Sequence, residues 1–160
     1  MRALLLVLVL VSLGVIFASA AANTVPESGL VEVSMKVDPN TFIPAVCPLS
    51  SYRNIIYGSG TLSGTGQSDL IFASDGDDFV RARGSKDCVL GQGGHDTLLG
   101  NGGADTLLGG EGDDYIYGGS GRDVIYGGPG DDVIYGGKGK DVCYGEGGND
   151  YFVSCEQYYQ

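Results

Sequence analysis

The chain has 160 residues, which allows one domain with extensions. Its 29 glycines and lack of tryptophan argue against a conventional packed core, because glycine has no side chain to bury and loses the most entropy on folding. A formal charge of −11 excludes nucleic acid as the natural partner, since a phosphate backbone would be repelled, and favours metal cations.

Residues 1–20 read as a secretory signal peptide. Arg2 is followed by an apolar run from Ala3 to Phe17 and then by Ala18-Ser19-Ala20, whose small residues suit cleavage after Ala20. The run is short for a bilayer span, so no transmembrane segment is expected after cleavage. Removing it leaves 8 basic residues against 20 acidic ones, a net of −12, and points to a secreted, extracellular protein. Four cysteines in such a compartment imply two disulfides. Three pairings are possible; the most local, Cys47 with Cys88 and Cys143 with Cys155, places one bridge at each end of the glycine-rich array.

Residues 21–50 form an N-terminal extension. Alternation in Val31-Glu32-Val33-Ser34-Met35-Lys36-Val37 suits a half-buried strand, and Pro44 and Pro48 discourage a helix around Cys47. The segment is the expected cap for the first coil of an array. Residues 51–63 look like a worn repeat: Asn54-Ile55-Ile56-Tyr57 resembles the strand half of a unit, but the part after it is three residues short and has no Asp.

From residue 64 to 153 an Asp falls at every ninth position: Asp69, Asp78, Asp87, Asp96, Asp105, Asp114, Asp123, Asp132, Asp141 and Asp150. Two residues after each stands a mostly apolar residue, as in Ile71, Leu107, Ile125 and Phe152. The unit is clearest in Gly118-Gly119-Ser120-Gly121-Arg122-Asp123-Val124-Ile125-Tyr126. Places one to six are a turn and places seven to nine a short strand. Residues 154–160 have no further glycine loop and read as a C-terminal cap, with Cys155 folding back on Cys143.

This spacing suits calcium. Glycine at places one, two and four permits backbone angles closed to other residues and lets carbonyl oxygens converge. Calcium takes six to eight hard oxygens at roughly 2.3–2.6 Å, which turn carbonyls and a carboxylate can supply together. If two units make one coil, loops 18 residues apart stack at roughly 4.8 Å and an ion fits between them. The expected fold is all-β: a flattened right-handed β-solenoid with two nonapeptides per coil, about five coils and about 24 Å of length. Its eighth-place residues meet in a thin core.

The 18-residue period is also visible in the charges. Asp69, Asp87, Asp105, Asp123 and Asp141 fall on one edge, where Arg83, Lys86, Arg122, Lys138 and Lys140 balance them. Loops of the other edge, with Asp78, Asp96, Asp114, Asp132 and Asp150, hold eleven acids and no base. Fourth-place glycine persists throughout the acidic edge (Gly76, Gly94, Gly112, Gly130, Gly148), so four sound sites are expected there. On the balanced edge Gln67 and Ser85 replace it and Arg83 replaces another loop glycine, leaving two sound sites. The expectation is about six calcium ions, with eight as the ceiling.

Residues 64–153 resemble the RTX, or haemolysin-type calcium-binding repeat, family. That resemblance implies a parallel β-roll that is disordered without calcium and folds on binding it. The cysteines, with the closing Cys143…Cys155-Glu156, are similar to those of small secreted bacterial members. The functional expectation is a secreted calcium-binding structural protein. The alternative is a calcium-dependent module that binds a cell-surface glycan or protein through tyrosine ladders, Tyr126 and Tyr144 on one face and Tyr115, Tyr117, Tyr135 and Tyr151 on the other. An enzyme is not expected: His95, the one histidine, has no nucleophile beside it.

Overall fold

A computed structural model describes residues 47–160. The signal segment, the extension up to residue 46 and the strand expected at 31–37 lie outside the described residues.

The alternation of repeats sorts the strands into two parallel sheets. One contains β1 (Asn54–Tyr57), β3 (Asp69–Phe72), β5 (Cys88–Gly93), β7 (Thr106–Glu111), β9 (Val124–Pro129), β11 (Val142–Gly147) and β13 (Gln157–Tyr159), in that spatial order. The other contains β2 (Thr61–Ser63), β4 (Phe79–Arg81), β6 (Thr97–Gly102), β8 (Tyr115–Gly121), β10 (Val133–Gly139) and β12 (Tyr151–Val153). Each strand pairs with the one two positions on, and Ile116 opposite Ile134 shows the 18-residue register. The chain is a β-solenoid of about six turns, an RTX-type β-roll with two units per turn.

Both ends add to the roll. Asn54 pairs with Asp69 and Val142 with Gln157, so the first and last coils are fifteen residues long. The missing residues come from the turns, where 58–60 and 154–156 replace six-residue loops. Residues 157–159 therefore continue the ladder as a strand, although no glycine loop precedes them. Central strands are also longer than three residues: β8 and β10 have seven each, because the pairing runs on into the glycine places.

Eighth-place residues form the core. Ile71, Val80, Val89, Leu98, Leu107, Ile116, Ile125, Ile134 and Cys143 are fully buried between the sheets, with Ile56, Leu62 and Phe152 packed at the two ends. Each such aliphatic burial contributes roughly 1.5–3 kcal/mol. A second cluster lies on the outer face of the first sheet, where Cys47, Leu70, Cys88 and Leu90 are buried against Tyr52, Phe72 and Leu108. The Cys47–Cys88 bridge ties this cover down, and Cys143–Cys155 ties the last turn. The described part of the extension thus covers a sheet face.

Outward tyrosines fall on the faces expected of them. Tyr126, Tyr144 and Tyr159 stack with centroids 4.9 Å apart and planes within 8° and 13°. Tyr115, Tyr117 and Tyr135 on the second sheet are tilted by 44° and 52°, and Tyr115, Tyr117 and Tyr151 are exposed.

Candidate metal centre

The register brings the ten sixth-place aspartates into two columns, one along each edge. Nine are nearly or fully buried, with Asp150 half-buried at the end. Within each column one carboxylate oxygen has a structural task. Asp105 Oδ1 accepts the Asp87 backbone N–H at 2.8 Å, and Asp132 Oδ1 accepts that of Asp114 at 2.8 Å. The same bond recurs from Asp69 to Asp132 along both columns.

The other oxygen has no such task in eight of the ten. Oδ2 of Asp87, Asp96, Asp105, Asp114, Asp123, Asp132, Asp141 and Asp150 is buried with no hydrogen-bond partner. An orphaned carboxylate oxygen is costly, so its recurrence calls for a ligand. Its surroundings define that ligand. A Cβ placed on Gly118 would lie 2.6 Å from both Asp123 Oδ2 and the Gly136 carbonyl, so these oxygens converge where glycine leaves room. The same convergence pairs Asp96 with the Gly109 carbonyl, Asp105 with Gly118, Asp114 with Gly127 and Asp132 with Gly145. Among the described residues no three His, Cys, Asp or Glu side chains gather on one point. A metal held here must therefore take backbone carbonyls as well, a donor set that suits a hard cation such as calcium.

The electrostatics agree. Burial pushes Asp105 up to about 8, and Asp87 and Asp114 up to about 7. Asp96, Asp123 and Asp132 rise to about 6 for the same reason, and Asp141 is also raised. The backbone N–H bond to Oδ1 lowers each partly, while neighbouring aspartates raise it again. Burial thus moves these carboxyls towards the neutral form, and a bound cation would oppose that by compensating their charge.

Asp69 and Asp78 depart from the pattern. The Thr65 N–H occupies Asp69 Oδ2, and Ser74 donates to Asp78 Oδ2 from its N–H at 2.7 Å and its hydroxyl at 2.8 Å. Gly76 keeps the fourth place in that loop but does not prevent this. Conversely, Arg83 and Ser85 replace glycine but take φ of 84° each, so the Asp87 loop keeps its shape. What changes there is Ala82, a buried alanine at the first place, where the loop of Asp123 has Gly118. The orphaned oxygens are four on each edge, so the geometry does not favour the acidic edge as glycine content suggested.

A second ladder gives a task to three further acids of that edge, Asp77, Asp113 and Asp131. At the fifth place Asp77 Oδ1 accepts the His95 N–H (2.9 Å), and His95 Nδ1 accepts that of Asp113 (3.0 Å). Asp113 accepts from Asp131 (2.9 Å) and Asp131 from Asn149 (2.8 Å). After Ser68 in its first loop, the balanced edge has Lys86, Ala104, Arg122 and Lys140 at this place, and none of these four can accept. Taken alone in the sequence, His95 looks like a solvated side chain; the signal for its role is the 18-residue column of acceptors it interrupts.

Fold and site together define a parallel β-solenoid whose turns stack carboxylate–carbonyl pockets for hard cations. The chain belongs to the RTX calcium-binding nonapeptide repeat family, whose model matches in four copies over residues 56–87, 63–98, 90–125 and 117–152. Repeats of this family bind calcium. No curated protein and no solved structure matches the chain.

Proposed function

We propose that the chain is a secreted protein that folds on binding calcium and serves an extracellular structural role. The observation that carries this reading is the double column of buried carboxylate oxygens without hydrogen-bond partners. Asp96, Asp105, Asp114, Asp123 and Asp132 would hold ions together with the first-place carbonyl of the loop 18 residues on. Bound calcium supplies positive charge that compensates the buried carboxylates and ties each turn to the next. Aspartate Oδ1, held by a backbone N–H, keeps Oδ2 aimed at the ion.

The energetics support coupled folding. Without metal, glycine entropy and the repulsion along the acidic edge oppose the roll. Each ion adds about 1.4 kcal/mol at tenfold excess over its Kd. Six ions would add on the order of 8 kcal/mol, comparable to a domain's whole stability. Two disulfides and the signal-like residues 1–20 support export to an oxidising compartment. Circular dichroism of the oxidised protein tests the reading: adding millimolar calcium should convert a largely unstructured spectrum into a β-rich one, and an unchanged spectrum would sink it.

A second reading, binding of a glycan in the presence of calcium, draws on the second sheet. The Tyr126–Tyr144–Tyr159 rings spend their faces on one another. Tyr115, Tyr117 and Tyr151 do not, and sugars stack on open aromatic faces. A glycan array with and without calcium, repeated with Tyr115→Ala and Tyr117→Ala, separates the two readings.

A further inference from the structure

We infer that the closing loop Ser154-Cys155-Glu156, which is not a repeat, completes a calcium site with Asp141, and that the Cys143–Cys155 bridge holds that site together. The inference rests on the calcium reading above but concerns a loop outside the matched repeats, which end at residue 152.

Four observations place it. Asp141 is fully buried, and its Oδ2 has no hydrogen-bond partner, as in the repeats. The Ser154 carbonyl stands where a repeat supplies a glycine carbonyl: a Cβ on Gly136 would meet both that carbonyl and Asp141 Oδ2, the same convergence that Gly118 shows for Asp123 and Gly136. Ser154 has φ of 53°, so a non-glycine residue takes the left-handed conformation in this loop. Finally, Glu156 Oε2 accepts the Asp141 N–H at 2.6 Å, the bond made elsewhere by the next aspartate. Glu156 is thus a positioning residue: it fixes the backbone from which Asp141 reaches inward.

The other ends of the array lack this combination. At the N-terminal end, the loop preceding Asp69 satisfies Oδ2 through Thr65, so that turn closes with hydrogen bonds. At the end of the acidic edge, the space beside Gly145 meets Asp150 alone, with no carbonyl from a following loop. Only loop 154–156, among these ends, presents an unpartnered buried oxygen and a carbonyl together. A three-residue turn without glycine has few means of holding that carbonyl in place. Cys155 lies at its centre, bonded to Cys143, which is buried in the strand directly after Asp141.

The test is calcium stoichiometry by native mass spectrometry at about 1 mM free calcium, a range suited to extracellular modules. It uses the full oxidised chain, Asp141→Asn, the pair Cys143→Ala with Cys155→Ala, and the combination of all three. Asp141→Asn and the cysteine pair should each lose one ion, and the combination should still lose only one. Adding Asp105→Asn to the cysteine pair should instead lose two, because that site lies elsewhere. An unchanged count in the cysteine pair, a loss of two or more from it, or an additive loss in the combination would overturn the inference. A parent chain that binds no calcium would instead overturn the calcium reading itself.

Discussion

A sixth-place aspartate has two oxygens with separate tasks, and its substitutions should separate them. Asp114→Asn keeps an acceptor for the Asp96 N–H but removes the charge beside the Gly127 carbonyl, so it should lose one calcium ion while the strand ladder stays intact. Asp114→Ala also strands a buried N–H and should cost about 1–3 kcal/mol more. Asp69→Ala should leave the calcium count unchanged, since Thr65 already occupies Asp69 Oδ2; calorimetric titration of the three variants compares them. The raised carboxyls also give the calcium-free roll a characteristic pH dependence. Folded values of about 6 to 8 lie above the ordinary value of about 3.9 for an unfolded Asp. Stability from their protonation is therefore complete below pH about 4 and is lost as pH rises through 6 to 8. With calcium chelated, circular dichroism should show more β-structure at pH 5 than at pH 8. Calcium affinity should move the opposite way, falling as protons compete for the same oxygens. A calcium-free protein more ordered at pH 8 than at pH 5 would contradict the burial of these groups.

At the level of the loop, first-place glycine leaves the space between carboxylate and carbonyl that the proposed ion would fill, and glycine at places two and four shapes the turn. Gly118→Ala puts a methyl 2.6 Å from both Asp123 Oδ2 and the Gly136 carbonyl, without demanding an unusual φ. It should abolish one calcium site and leave the coil folded in calcium. Gly121→Ala, at φ of 139° and against the Gly103 carbonyl, should instead destabilise the coil itself. Ala82→Gly should have the converse effect and strengthen binding at Asp87, seen as a gained or tightened ion in a calcium titration. Loop details of this kind were only partly legible in the sequence. The roll was readable because its core needs one apolar residue at every eighth place, and the 18-residue charge split fixed which loops share an edge. Ser74 was not readable, because its two bonds to Asp78 depend on a turn geometry that glycine counting does not register. Neither was Arg83 or Ser85, since stacking against neighbouring turns holds them at positive φ despite their side chains. Loop 154–156 reads in the sequence as a cap and not as a coil, because it keeps the ladder with three residues fewer and has neither glycine nor aspartate.

Among the described residues the strands of each turn pair with those of the adjacent turns, so stability is close to a sum of turn and interface contributions along one axis, with the Cys47–Cys88 bridge reaching across two turns. The orphaned carboxylate oxygens are unevenly placed on that axis. The turn made by β1 and β2 precedes the first orphaned carboxylate oxygen, at Asp87, and the aspartates before it, Asp69 and Asp78, are closed by hydrogen bonds. Ile55 is 57 % exposed and Tyr57 51 %, so this turn gains little from burial as well. The outer-face cluster under Cys47–Cys88 reinforces β3 and β5 but leaves the exposed side chains of β1 uncovered. At the opposite end the last turn is bridged by Cys143–Cys155. Hydrogen exchange in saturating calcium should therefore find the weakest protection in residues 54–63, rising through β4 to a plateau across β6 to β11. Lowering calcium should collapse the plateau while changing the exchange of residues 54–63 least, because no ion is bound there to be lost. Protection strongest at residues 54–63, with the other turns losing theirs before it as calcium falls, would mean that the metal-free turn is the nucleus of the array.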